Sequence, residues 1–383
     1  MQPAIYAEKL EQAQQLLAEY DLDAWLILVR ETSLGGEPAL AMIAPFDLTW
    51  ESALLIGRDG TRTAIVGRFD QAPVLASGLF SQVVGYDASI GDDLRAALHH
   101  LAPRHIAINY STGDVLADGL SHGLYLRLLQ HLQGTHYSER LVSAQQLVGA
   151  LRSRKTATEQ TLLLQAAEAA DDLFLLAARY IVPGATEDEI AAAMHNALAE
   201  RGLTTAWPAD ICPIVNTGPV SSIGHAGPTQ LQVTPGDVVH IDFGVRRAGY
   251  CSDQQRVWYV ASDDAPDPPA DVLHVFATVR RAIERAFAFI KPGVLGFKVD
   301  AIARTTFAEA GLEPYQHALG HGVGHAVHDG GVLLGPRWDR YIRLRRIPLL
   351  IARPLPSRRS PLSTRPIIST ACACRSGALT CIT

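Results

Sequence analysis

The sequence predicts an α/β (α+β) protein in which one α/β domain precedes a second, internally duplicated one. Three observations carry this. Short apolar or β-branched runs alternate with helical periodicities through the first 150 residues. The order helix, Pro-Gly break, helix occurs twice, at Pro183-Gly184 and Pro292-Gly293, 109 residues apart. Between the two copies lie the apolar runs Val238–Val245 and Tyr250–Val260, with a Gly249-containing turn between them.

In chain order, Ile5, Leu10, Ala13, Leu16 and Leu17 form one helical face over residues 4–20. Ala24–Val29 reads as a buried strand, and residues 53–56 and 63–66 flank Asp59-Gly60 as a hairpin. Strands follow at 83–86 and 105–110, and helices near 92–101 and 119–132. This domain, residues 1–150, has no glycine-rich phosphate loop and no nucleophile elbow. A second unit, 155–340, begins with a capping box at Thr156 and Glu159 and a helix to about Tyr180. Thr186 and Glu189 cap its second helix, which ends at Gly202. Helices over 271–289 and from Gly293 to about Ala310 repeat that arrangement.

A chain of 383 residues accommodates about two domains. The N-terminus lacks the apolar region of a signal peptide, and no apolar run approaches the ~20 residues of a membrane span. Five scattered cysteines without C-x-x-C predict reduced thiols and a cytoplasmic location, with no membrane partner. Residues 1–340 carry 25 basic and 39 acidic groups, whereas 341–383 carry eight arginines and no acid. So acidic a body is not expected to bind nucleic acid.

The hairpin holds the first chemistry. A turn centred between Arg247 and Ala248 sets Asp242 opposite Asp253. Opposed residues have Cβ atoms about 5 Å apart, and like charges placed so are destabilising, which calls for a cation between them. Downstream, His317, His321, His325 and His328 are interleaved with Gly320, Gly322 and Gly324. Three glycines at about 1 kcal/mol each make this a loop or irregular strand rather than a helix. Upstream, His225 lies in another glycine-flanked loop, just before the Asp242 strand. Two aspartates and several glycine-flanked histidines point to a metal site, and the absence of H-E-x-x-H excludes a helix-borne zincin.

The I-D-F-G…Y-C-S-D-x-x-R hairpin, the N-T-G…G-H loop before it and the G-H-G-V-G…V-H-D stretch resemble the creatinase/prolidase/aminopeptidase P superfamily, Xaa-Pro branch. The likeness covers roughly 155–340, and residues 1–150 are similar to the creatinase-type N-terminal domain. It implies a pita-bread catalytic domain of two duplicated α/β halves, a proline-containing peptide as substrate and a homodimer. It also implies two divalent ions, manganese foremost, with cobalt or zinc as alternatives. Asp242, Asp253 and His321 match three of the metal ligands. His225 and His328 match the catalytic histidines that contact substrate, and His317 matches a further substrate-contacting position. Arg256 fits the D-x-x-R, while Val257 replaces the hydroxyl residue that often follows.

Two glutamate ligands are missing, because no glutamate occurs after Glu313. The 109-residue repeat projects the second hairpin onto Ile351 and Leu362. Four carboxylates would neutralise two divalent ions; two leave two charges uncompensated. The chain as written is therefore expected to bind manganese weakly and to hydrolyse Xaa-Pro peptides poorly or not at all. A non-catalytic binding module on the same scaffold is the alternative, and a metal-free enzyme of the creatinase kind a third reading. Residues 341–383, rich in Arg and Pro, read as an aberrant tail produced by a frame shift near Arg340, and are expected to be poorly packed.

Overall fold

The computed structural model describes residues 3–222, 224, 226–264, 266–338, 341 and 380–382. His225, most of the 341–383 tail and the projected positions Ile351 and Leu362 lie outside the described residues. The chain divides into two units, Met1–Thr156 and Ala157–Thr383.

In the first unit six strands form one sheet: β1 (Ala24–Val29), β2 (Ser52–Gly57), β3 (Arg62–Gly67), β4 (Gln82–Tyr86), β5 (Ile106–Ile108) and β6 (Leu141–Ser143), in the order β4-β3-β2-β1-β5-β6. Every residue of β1 is buried, which explains its continuous apolar run in place of alternation. It pairs antiparallel with β2, Ala24 opposite Gly57, and parallel with β5, Ala24 opposite Ile106. The Asp59-Gly60 hairpin joins β2 and β3, with Gly60 at φ 99°. Helices α1 (Pro3–Glu19), α2 (Leu40–Ile43), α3 (Gln71–Ser77), α4 (Gly91–Leu101), α5 (His122–His131) and α6 (Gln145–Ser153) complete the unit. Leu94 and Leu98 of α4 and Leu128 of α5 pack on Leu26, Leu55 and Ile65 of the sheet. Each such buried leucine contributes about 2 kcal/mol.

The second unit opens with α7 (Ala157–Ala177) and α8 (Glu187–Glu200). The capping box of α8 is present: Thr186 N–H donates to Glu189 Oε2 (2.9 Å), and Glu189 N–H to Thr186 Oγ1 (3.2 Å). Short strands β7 (Thr204–Thr205), β8 (Ile214–Thr217), β9 (Val238–Phe243), β10 (Val245–Arg247), β11 (Tyr250–Cys251) and β12 (Gln254–Tyr259) form two three-stranded sheets, β11-β10-β7 and β12-β9-β8. Their core joins Phe174, Met194, Val239, Ile241, Phe243 and Trp258. Then α9 (Ala270–Phe289) and α10 (Gly296–Glu309) pack with β13 (Gly320–Gly322) and β14 (Leu333–Leu334) around Ala286, Val299 and Leu319. β15 (Thr380–Ile382) lies antiparallel on β13, Cys381 opposite His321. The duplication is visible in the helices. α8 and α10 are each 14 residues long, and their first residues, Glu187 and Gly296, stand 109 apart. In both copies the preceding break ends on a glycine in the left-handed region, Gly184 at φ 88° and Gly293 at φ 82°.

The hairpin register corrects the sequence-based pairing. Arg247 pairs with Tyr250 and Arg246 with Cys251, so the turn consists of Ala248 (φ 50°) and Gly249 (φ 87°). Positive φ at both central residues is the hairpin turn whose twist matches the flanking strands. Moving the centre by one residue moves each partner by two. Asp242 therefore faces Gln255 rather than Asp253, which becomes its diagonal neighbour. Because side chains alternate with period two, the shift leaves both aspartates on one face.

Candidate functional site

The glycine-rich histidine stretch folds as β13 followed by a tight loop. Asp329, buried, donates its N–H to Gly322 O (2.8 Å), and its Oδ1 accepts from Ala326 N–H (3.3 Å). The β10–β11 hairpin docks on this loop through backbone and side-chain contacts. Cys251 N–H donates to Gly324 O (2.8 Å), Arg246 Nη1 to His325 O (2.8 Å), and the rings of Tyr250 and His325 lie 4.4 Å apart. This docking carries Asp253 to His321, whose Nε2 is 3.3 Å from Asp253 Oδ2. The His328 ring meets the His321 ring edge-on at 4.3 Å. Asp253, His321 and His328 are thus brought together. His317 sits four residues before His321 with its ring 4.9 Å from that of Tyr315.

Asp242 belongs to a polar ladder across β8, β9 and β12. Gln255 Nε2 donates to Asp242 Oδ2 (3.2 Å), and Gln255 Oε1 faces His240 Nε2 (3.0 Å). His240 Nδ1 faces Asn216 Oδ1 (3.2 Å), and Asn216 Nδ2 donates to Ser222 O (2.7 Å) and Ser221 Oγ (3.1 Å). Burial holds His240 below the usual imidazole range, partly offset by Gln255. Behind this face Arg256, also buried, donates to Asp171 Oδ1 (2.6 Å) and lies over the Phe174 ring. In the sequence Asn216 stands out only as the first residue of the N-T-G motif, and neither Gln255 nor His240 is given a role there. With the correct register Gln255 stands out as the polar partner of Asp242, and His240 lies two residues away on the same strand.

Glu187, the first residue of α8, is fully buried and joins Thr217 of β8 to Ser221 and Thr229. Its carboxylate accepts from Thr217 N–H (2.9 Å), Ser221 Oγ (2.6 Å), Thr229 N–H (2.9 Å) and Thr229 Oγ1 (2.7 Å). Burial pushes the Cys212 thiol up to about 12 and the Cys251 thiol up to about 11, so neither supplies a thiolate nucleophile at neutral pH.

A hairpin aspartate set against histidines of a glycine-rich loop, among helices that repeat after 109 residues, is the arrangement of the pita-bread class. Residues 161–346, just under half of the chain, match metallopeptidase family M24, which supports the likeness to the creatinase/prolidase/aminopeptidase P superfamily. The chain is 34% identical over 190 residues to the probable dipeptidase PepE of Mycobacterium tuberculosis, covering 49% of this chain and 48% of that protein. The chain therefore spans about half the length of the relatives it matches in sequence. Among solved structures, the dipeptidase PepE of Mycobacterium ulcerans is similar with TM-score 0.67 and 26% identity, over 88% of this chain and 85% of that one. The Xaa-Pro dipeptidase of Bacillus anthracis is similar with TM-score 0.66 and 25% identity, over 87% and 86%.

A metallopeptidase family implies divalent metal, and the donor set tests whether these residues fit it. Among the described residues no three His, Cys, Asp or Glu side chains converge closely enough to hold an ion. Asp253 pairs with His321, and Asp242 accepts from the Gln255 amide. Two divalent ions bring four positive charges, and Asp242 and Asp253 supply two negative ones. The described residues do not fit a two-ion centre.

Proposed function

We propose that the chain is an Xaa-Pro-type peptidase, of the dipeptidase or aminopeptidase kind, whose hydrolysis is weak or absent. The grouping of Asp253, His321 and His328 carries this reading. The named activities of the similar proteins support the substrate class. In this reading His328, His317 and His225 contact a proline-containing peptide. Asp242, Asp253 and His321 are the residues at which a divalent cation, manganese foremost, would compete with the hydrogen bonds already made. No hydrolytic step follows from this donor set. A homodimer and a cytoplasmic location belong to the same reading. The buried free thiols Cys212 and Cys251 are in keeping with that location, and light scattering tests the dimer.

The second reading, a non-catalytic peptide-binding module, is favoured by the same shortage of converging ligands. Calorimetry with manganese, and assays with alanyl-proline and a longer Xaa-Pro peptide in manganese, cobalt or zinc, separate the two. Weak manganese binding and turnover well below about 1 s⁻¹ are expected. Two tight manganese sites, or turnover in the ordinary enzyme range, would overturn the charge argument. Peptide binding with no turnover in any metal would favour the module.

A further inference from the structure

Between α10 and β13 the chain runs from Leu312 to Leu319 without regular secondary structure, so its backbone groups need partners from elsewhere. Two side chains one turn apart on α10 supply them. Arg304 Nη1 donates to Tyr315 O (2.8 Å) and Nη2 to His317 O (2.6 Å). Asp300, 1% exposed, accepts from Leu319 N–H (3.2 Å) and from the Tyr315 hydroxyl (3.3 Å). The two are joined to each other, Arg304 Nε to Asp300 Oδ2 at 2.6 Å. The guanidinium also lies over two rings, 4.4 Å from the Tyr315 centroid and 5.0 Å from that of Trp338. Tyr315 in turn carries the His317 ring at 4.9 Å.

We propose that Asp300 and Arg304 are positioning residues: a brace on α10 that sets the 315–321 segment, and with it His317, for peptide binding. This rests on the peptide-binding reading above. A guanidinium presents several donors in a rigid plane, so one side chain holds both carbonyls and the carboxylate while stacked on a ring. A lysine keeps the charge but cannot span those partners. The hydrogen bonds of the brace run to Tyr315, His317 and Leu319. It acts through the backbone of residues 315, 317 and 319, and His321 follows two residues later.

The test uses the full chain with Arg304→Lys and Asp300→Asn, read by hydrogen exchange and by calorimetric binding of alanyl-proline. In both variants the 315–322 segment is expected to exchange about tenfold faster while α8 exchanges as before. Alanyl-proline affinity is expected to fall about tenfold, with little change in thermal midpoint. A loss of packing alone would add to the effect of His317→Ala; a brace acting through His317 would not, so Arg304→Lys should weaken binding much less once His317 is alanine. Unchanged exchange of 315–322 in both variants, or full additivity with His317→Ala, overturns the proposal. If Asp300→Asn fails to fold, Arg304→Lys decides, since that side chain is partly exposed. If the unsubstituted chain does not bind alanyl-proline, the peptide-binding reading falls, and the exchange measurement still decides whether the brace exists.

Discussion

Glu187 places four donors on one buried carboxylate, three of them from residues that flank His225 in sequence. Hydrogen bonds to a charged group contribute about 1.5–3 kcal/mol each, and orphaned buried donors add their own penalty. Glu187→Gln, whose amide would turn N–H groups toward N–H and O–H donors, is expected to destabilise by about 2–4 kcal/mol, read as a lower urea midpoint. An unchanged midpoint would mean that the ring of bonds contributes nothing. In the first unit Glu37 has fewer partners of this kind. Its Oε1 accepts from Ala39 N–H (2.9 Å), while its buried Oε2 lies so near Gly119 that a Cβ there would come within 2.1 Å. Burial, the largest cause, pushes its carboxyl up to about 7. The folded state then holds this proton where the unfolded chain has released it. The stabilisation is full below the unfolded value near 4.5 and is lost as pH rises through about 7. Glu37→Gln should therefore gain on the order of 2 kcal/mol relative to the parent at pH 8 and little at pH 4. Urea unfolding at the two pH values checks it, and equal gains at both would refute the linkage. Residue type alone made Asp253, His321 and His328 visible in the sequence, because acids and imidazoles among glycines have few other uses. Glu187 was not visible, since its partners lie 30 to 42 residues away and no local spacing marks them.

At the scale of elements, the helix boundaries of the duplication were legible because each break carries a residue with one conformational purpose. Pro-Gly ends the helix, and Gly184 and Gly293 take the positive φ that other residues avoid. The hairpin register was less legible for the converse reason. Ala248 occupies the left-handed region at φ 50°, and nothing about alanine announces it. Reading the turn one residue early put Asp253 opposite Asp242 and hid Gln255, which holds the Asp242 carboxylate. Asparagine tolerates this conformation far better, and Asn-Gly is the preferred pair for such a turn. Ala248→Asn is thus expected to stabilise by about 0.5–1 kcal/mol without moving the register, seen as a higher urea midpoint. A lower midpoint would show that the turn is not of this type.

At the scale of the whole molecule, one inconsistency runs through charge, composition and family likeness. The first 340 residues carry 25 basic and 39 acidic groups; from Tyr341 onward there are eight arginines, no acid and no lysine. Three of the five cysteines, Cys372, Cys374 and Cys381, fall in this tail. Pro348, Pro354, Pro356, Pro361 and Pro366 recur where the duplication calls for a second hairpin of central strands, which prolines forbid. The match to metallopeptidase family M24 stops at residue 346. A basic arm for nucleic acid or a membrane surface would account for the arginines. It would not account for carboxylates that vanish where the repeat places the partners of Asp242 and Asp253. We therefore expect a reading-frame shift near Arg340. Translating the coding DNA after codon 340 in the other two frames is the measurement. One frame should yield alternating apolar strands with a glutamate near the position of Ile351 and a second glutamate further on, restoring the two missing negative charges. A chain rebuilt in that frame should bind manganese tightly and cleave Xaa-Pro peptides. If neither frame encodes such strands, the arginine-rich segment is genuine, and the peptide-binding module becomes the function to pursue.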